Sequence, residues 1–355
     1  MPSTPQLIQL HRRKRERFDH ASLKRVGLVW SLVVSIFVLG MVFLLIFSYI
    51  RITEKLPSLD NLPQLLEPDQ GLLLQPTQFL DRTGTHVIYI HQNPAIFERR
   101  YLFLIPENPE AGKNQSFPES LVNATIAITD PTFWSNPGFS LNGVENNSHN
   151  TIAQQLVSDL LLWDEPRSLK RAIRERILAA QITSHFGREK IMEWYLNSAN
   201  YGSFVYGADA AAQVYFGKSA TEINLSEASF LAAISESPAL NPYSSPQATL
   251  DRAEIVLNAM VGQGMISSSE AEIAKEANIL FQDPKEPQVM VSAHFIDMVW
   301  QQLPESIPQE WVHRGGFNII TSLDFDLQTQ TRCTTDVHLS RLTKEDINVE
   351  GNESI

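Results

Sequence analysis

The sequence predicts a mainly α-helical protein with a small β element, preceded by one transmembrane helix. Three observations carry this: a 25-residue run without charge near the start, two β-prone runs around residues 81–84, and apolar residues every three to four positions from Pro118 to about Leu280. With 355 residues, 43% of them hydrophobic and 18 of them Phe, the chain can bury a real core, which excludes disorder or a fibrous repeat as a whole-chain description. The single Cys333 excludes an internal disulfide and a Cys-rich metal module.

The elements follow in order. Residues 1–25 hold seven Lys and Arg against two acidic residues, so this head carries +5 and the rest of the chain −17 of the net −12. Val26 to Ile50 is uncharged; as a helix it would measure about 37 Å at ~1.5 Å per residue, more than the ~30 Å hydrocarbon core of a bilayer. A cleaved signal peptide has a shorter apolar region and a small-residue cleavage site, whereas no Ala occurs from Ser22 to Pro94. An uncleaved, single-pass anchor in the cell membrane is expected, with the basic head cytoplasmic and everything after Arg51 outside the cytoplasm by the positive-inside rule. The acidic outer part argues against nucleic acid as a partner, and the basic cluster suits anionic lipid headgroups.

Residues 51–76, rich in Leu, Pro and Asp without helical or strand period, read as an extended linker. Residues 77–117 form a small β element and its lead-in, with Asp81 to Gly84 as the turn of a hairpin and glycine where φ must be positive. The main helical domain spans 118–284, interrupted at Pro131, Pro166, Gly187, Gly202, Gly217 and Pro238. Pro166 suits a first helical turn after Asp164, and Asn224 with Glu227 and Ser267 with Glu270 fit the capping-box spacing. Residues 285–355 read as a connector, with a helix through His294 to Gln302 and a strand-like stretch from Gly316 to Leu323.

The stretch Ile191 to Pro242 contains Glu193-x-Tyr195-Leu196-Asn197, Tyr206-Gly207, Ala211-Ala212, Tyr215-Phe216-Gly217-Lys218, Glu227-Ala228 and Pro238 in one ungapped order. It resembles the glycosyltransferase (transglycosylase, family 51) domain of class A penicillin-binding proteins. The resemblance implies a lysozyme-like helical glycosyltransferase domain at 118–284, a bacterial membrane, and cell-wall synthesis. Thr321-Ser322-Leu323-Asp324 with Gln328 looks like the connector into a transpeptidase domain. No Lys among the 355 residues has Ser three positions before it, so the Ser-x-x-Lys transpeptidase nucleophile is not among them.

What the family implies is polymerisation of lipid II, in which a 4-hydroxyl attacks the anomeric carbon of a lipid-pyrophosphate-linked glycan with inversion. The implied partners are lipid II or a glycan strand and other cell-wall synthases. A carboxylate must take the hydroxyl proton, cations must hold the leaving pyrophosphate, and a second carboxylate arranges the donor. The implied chemistry requires no resident cofactor and leaves room for a divalent cation, Mg or Mn, on the pyrophosphate.

This chain departs from the family at those positions. The pattern Glu-Asp-x-x-Phe-x-x-His-x-Gly appears as Thr129-Asp130-Pro131-Thr132-Phe133-Trp134-Ser135-Asn136-Pro137-Gly138, so Thr129 occupies the place of the general base. Asp130 is a poor substitute, because adjacent helical residues point about 100° apart. Gly-Gly-Ser-Thr-Ile-Thr-Gln-Gln with Leu-x-Lys-Asn appears as Ser148 to Gln155 with Leu156-Val157-Ser158-Asp159; Thr151 and Gln155 survive, while the glycines and the phosphate-binding Lys do not. Arg-Lys-x-x-Glu appears as Arg171-Ala172-Ile173-Arg174-Glu175, which keeps the first Arg and the second carboxylate. Arg174 lies three positions from Arg171, placing two arginines on neighbouring helix positions where they could hold phosphate. The bland alternative is that Arg167, Arg171, Arg174 and Glu175 are a solvated helix face.

Two functions therefore stand. One is a divergent transferase using Glu175, Arg171, Arg174, Thr151, Gln155, Phe133 and Tyr195, with Asp130 or Glu145 recruited as base. The other is a membrane-anchored pseudoenzyme that binds lipid II or glycan, or scaffolds cell-wall synthases. The second is favoured, since loss of a general base costs about 10² to 10⁴ in rate. The topology has its own test: a reporter active only outside the cytoplasm, fused after Ile355, is expected to score positive. A silent fusion, alongside a working cytoplasmic reporter at the same site, would reverse the orientation.

Overall fold

The computed structural model describes residues 4–66, 68, 71–97, 99–105, 115–142, 151–285, 292–303 and 307–350, with side chains of helix termini 4–25 and 343–350 left aside. Two units separate, Met1–Leu56 and Pro57–Ile355. The first is one helix, α1 (Thr4–Thr53), whose segment Val26–Thr53 is apolar and long enough to cross a membrane, with none of its most apolar stretch buried by protein.

The second unit is mainly helical. After α2 (Asn61–Leu66) and a 3₁₀ turn at Leu72–Leu74 come β1 (Thr77–Leu80) and β2 (Val87–His91), paired antiparallel with Phe79 opposite Tyr89. Gly84 takes φ 74° in the turn, as the hairpin requires. Helices α3 (Glu119–Thr129), α4 (Ile152–Leu160), α5 (Leu169–Phe186), α6 (Arg188–Ser198), α7 (Ala208–Phe216), α8 (Leu225–Glu236), α9 (Pro246–Gly262) and α10 (Ser268–Glu276) make the main body. All nine residues of α7 are buried, as are ten consecutive residues of α8 from Ser226 to Ser235. A helix enclosed on every side must be apolar or small all round, which the Ala210 to Ala212 run and Phe230-Leu231-Ala232-Ala233-Ile234 supply. Both capping boxes form as expected, at Asn224 with Glu227 and at Ser267 with Glu270.

Two expectations need correction. The 51–76 stretch is not an extended spacer throughout: Leu62 and Leu66 on α2 are completely buried, because this one short turn sends both leucines to the same side. Pro166 does not open a helix; α5 begins three residues later, where the Ser168 hydroxyl accepts from the Arg171 N–H at 3.1 Å and caps the end. The helix expected through His294 to Gln302 and the strand expected within Gly316 to Leu323 both form, and both pack on the hairpin. Residues 293–323 fold back onto it through α11 (Ala293–Gln302), α12 (Gln309–Arg314) and β3 (Asn318–Ile320), which pairs parallel to β1 and gives the order β2-β1-β3. Phe79, Ile88, Ile296, Leu303, Val312 and Leu323 form a second core there. Gly316 makes the approach possible, since a Cβ would stand 2.4 Å from the Leu72 carbonyl oxygen. A final helix, α13 (Phe325–Glu350), follows.

The α2 correction has a measurable consequence. Leu66→Ala should lower unfolding stability of the full chain in detergent by about 2–5 kcal/mol, the usual range for a fully buried leucine. A change within about 0.5 kcal/mol, as at an exposed linker position, would mean that α2 is not packed.

Candidate active site

The region is built from the end of α3 upward. α3 stops at Thr129, and Asp130, with φ −151°, turns the chain into Pro131. Only 1% of Asp130 is exposed, yet its carboxylate is well supplied: Asn136 Nδ2 donates to both oxygens at 2.9 and 3.0 Å, Thr132 Oγ1 donates at 3.1 Å, and the Ile152 N–H donates at 3.3 Å. These four bonds match the acceptor capacity of a carboxylate. Burial pushes its pKa up, while the bonds from Asn136, Ile152 and Thr132 pull it down. Asp130 thus clasps the α3 exit to the first turn of α4, and is not free to serve as the recruited base. Thr129 Oγ1 is closed off from solvent and lies beside the Tyr195 phenol.

Thr151 caps α4, accepting from the Gln154 N–H at 3.1 Å and donating to the Gly138 carbonyl at 2.8 Å. Gly138 has φ 90° and lies so close to α5 that a Cβ would meet the Ala179 carbonyl oxygen at 2.6 Å, so no larger residue fits. Gln154, completely buried, donates from Nε2 to Glu175 Oε1 at 2.8 Å and accepts the Ser140 N–H at 2.8 Å. Arg176 holds the same segment from the other side, donating to the carbonyls of Ser140 (2.8 Å), Asn142 (2.9 Å) and Ala172 (2.9 Å). Ser140 is therefore gripped at both its N–H and its C=O.

The third motif turns inward, against the expectation of a solvated or phosphate-facing helix face. Arg171, Arg174 and Glu175 are 7%, 6% and 2% exposed. Arg171 donates to Ser158 Oγ at 2.7 Å and to the carbonyls of Ser158 and Leu162 at 3.3 Å each, and stands 3.7 Å from Glu175. Arg174 points elsewhere and pairs with Glu165 at 2.6 Å. The i,i+3 spacing places two arginines on one side of a helix but does not say which way that side looks. Here it looks into the protein, with Ser158 sitting where the family pattern has Lys.

On α6, Tyr195 is 2% exposed, and burial pushes its phenol up to about 12; the hydroxyl approaches Gln155 Oε1 at 3.4 Å. Glu193 and Asn197 of the same motif do structural duty. Glu193 accepts from Tyr101 Oη and Lys190 Nζ, both at 2.5 Å, and from the Leu104 N–H; Asn197 bonds both the N–H and the C=O of Leu102. Phe133 is buried edge-to-face against Trp134, and its carbonyl accepts from Arg188 Nε at 3.1 Å.

The structure thus brings together Asp130, Thr151 and Glu175 through Gln154 and the α4 start, and joins Gln155 to Tyr195; Arg174 stands apart. Glu145 lies outside the described residues, as do Ser148, His149 and Asn150. Sequence reasoning missed Gln154, Arg176 and Arg188. The intact Gln-Gln pair marked the first; the other two carried no signal of their own. Among the described residues no three His, Cys, Asp or Glu side chains gather as a metal site, and Asp130 and Glu175 both accept hydrogen bonds within the fold.

The buried arginine is testable by stability alone. Arg171→Ala should destabilise the full chain by about 3–5 kcal/mol, as when one partner of a buried ion pair is removed. An effect within about 0.5 kcal/mol, measured by chemical unfolding, would return Arg171 to the surface.

The sequence of this domain has relatives among known proteins. A transglycosylase family model matches residues 103–261. The chain is 35% identical over 240 residues to penicillin-binding protein 1A of Aquifex aeolicus, covering 64% of this chain and 32% of that protein. It is 32% identical over 262 residues to penicillin-binding protein 1A of Rickettsia felis, covering 68% and 32%. A crystal structure of penicillin-binding protein 1A from Haemophilus influenzae aligns over 67% of this chain and 25% of that one at 22% identity and a TM-score of 0.35. The chain spans about a third of the length of the two curated relatives. Residues 103–261 are thus a transglycosylase domain, similar to that region of penicillin-binding proteins 1A.

Proposed function

We propose that this is a membrane-anchored transglycosylase-family protein of bacterial cell-wall synthesis that keeps the fold, does not polymerise lipid II, and acts as a scaffold for cell-wall synthases. The observation that carries this is the chain of buried contacts from Ser158 through Arg171 and Glu175 to Gln154. The reaction needs a base at the acceptor hydroxyl and cations at the leaving pyrophosphate. The base position holds Thr129, and a threonine hydroxyl takes no proton near neutral pH. The two family Lys positions hold Ser158 and Ala172, and both arginines that could replace them are buried in internal contacts. Loss of the base alone removes about 10² to 10⁴ in rate. Burial of Arg171 and Arg174 also speaks against a lipid II-binding role resting on those guanidinium groups, because each would have to leave its internal partners first. The apolar Val26–Thr53 segment would hold the domain at the membrane where its synthases work.

Full-length protein in detergent, incubated with labelled lipid II with and without Mg or Mn, is expected to make no glycan polymer above background. Thr129→Glu should restore little, since Ser158 and Ala172 remain. Processive polymerisation by the unmodified chain would overturn the proposal, and saturable, salt-sensitive lipid II binding would replace the scaffold with a lipid II-binding protein.

A further inference from the structure

His91 at the end of β2 and His313 on α12 face each other with Nε2 and Nδ1 2.7 Å apart, both part-buried and 222 positions apart in sequence. The Tyr89 hydroxyl lies 3.2 Å from the other nitrogen of His91. Trp300 of α11 stacks on His313 with 22° between the ring planes and meets His91 edge-on at 4.8 Å, and Phe204 lies 4.2 Å from His313. Phe204 is delivered by a turn in which Ser203 and Phe204 both take positive φ, 50° and 60°, a conformation that non-glycine residues adopt at a cost.

With both rings neutral the chain Tyr89–His91–His313 can be satisfied in either direction, one N–H donating to one lone pair at each contact. One added proton is still accommodated, since a doubly protonated His91 donates to His313 on one side and to the Tyr89 oxygen on the other. A second added proton sets N–H against N–H and cation against cation at 2.7 Å. Among the described residues, the charged groups around the pair are Arg99, which bonds the Leu73 and Arg314 carbonyls, and Glu310 and Arg314 on α12; Trp300 and Phe204 bring no charge. Glu310 favours a proton on His313, and Arg99 disfavours one on His91.

We propose that the His91–His313 pair is an acid-operated latch, holding α12 against β2 while the pair carries at most one added proton and releasing it when both rings are charged. α12 also has two ties to the altered motif: Arg314 pairs with Asp159 at 3.4 Å, and Trp311 packs on Trp163 at 4.4 Å between ring centres. Loss of the latch removes the β2 tie while α12 keeps Thr77 Oγ1 on the Val312 carbonyl at 2.7 Å and Arg99 on the Arg314 carbonyl at 3.3 Å, so the loosening is local to β2 and the exposed side of α12.

The direction with pH follows from burial, which lowers both imidazoles from the ordinary 6.5, His91 to about 4 with His313 and Arg99 adding to the effect. Groups depressed in the folded state stabilise it fully above the unfolded value near 6.5, and that contribution declines as pH falls towards about 4.

The test uses the full chain in detergent. Hydrogen exchange over residues 87–91 and 309–314, corrected for intrinsic rates, is compared at pH 7.5 and 4.5. Protection in the wild type is expected to fall at least tenfold at pH 4.5, and the His91→Gln/His313→Gln double variant should lose that extra fall. Unchanged protection in the wild type, or an equal fall in the double variant, overturns the latch, as does an Asp159→Asn variant that alone abolishes the response. Should the double variant fail to fold, imidazole ¹⁵N spectra of the wild type decide: two rings titrating well below 6.5 support the latch, and independent titration near 6.5 overturns it.

Discussion

A carboxylate that is 2% exposed must be compensated where it stands, and the packing around Glu175 answers to that constraint. Its compensating partners reach different parts of the chain. Gln154 comes from α4 and carries the Ser140 N–H; Arg176 approaches to 3.9 Å and carries the Ser140 and Asn142 carbonyls; Arg171 approaches to 3.7 Å and carries the Leu162 carbonyl and Ser158. One negative charge thereby organises α4, α5 and the segments that enter and leave α4. Backbone groups at Ser140 and Leu162, which no helix satisfies, find their partners in the side chains that neutralise Glu175.

Much of this was legible beforehand, for reasons that are local. Charge-free length identifies α1, glycine at a positive-φ position identifies the hairpin turn, and the two capping boxes need only four consecutive residues each. What escaped depends on long-range contacts. Leu62 and Leu66 read as linker because only two leucines mark α2, too few to establish a helical period. The parallel pairing of Phe79 with Ile319 joins segments 240 positions apart and leaves no mark in either. The site was legible as a set of departures from a family pattern, but the burial of Arg171 and Arg174 was not, since helical spacing fixes which residues share a side and not what that side meets.

The departures are coupled through hydrogen bonding. Asn136 donates to Asp130, as an imidazole N–H at that position could, but an amide does not titrate. Ser158 accepts the Arg171 guanidinium where a Lys side chain would have repelled it. Ala172 brings no second cation beside Arg171, while its carbonyl still receives Arg176. Each of these positions keeps a hydrogen bond and lacks the charge or titrating group of the family pattern, so the packing is retained with fewer charges.

Thr129 follows the same pattern. Its hydroxyl is shut off from solvent beside the Tyr195 phenol, whose pKa it draws down against the effect of burial. A position shaped only by packing would favour an apolar residue of similar volume there. A glutamate at the same place would bring a charge beside the buried Tyr195 phenol, with Arg171 already turned away towards Ser158 and Glu175. A hydroxyl suits that place better than a carboxylate would: it interacts with the phenol without bringing a charge, while Arg171 is engaged with Ser158 and Glu175 and Arg174 with Glu165.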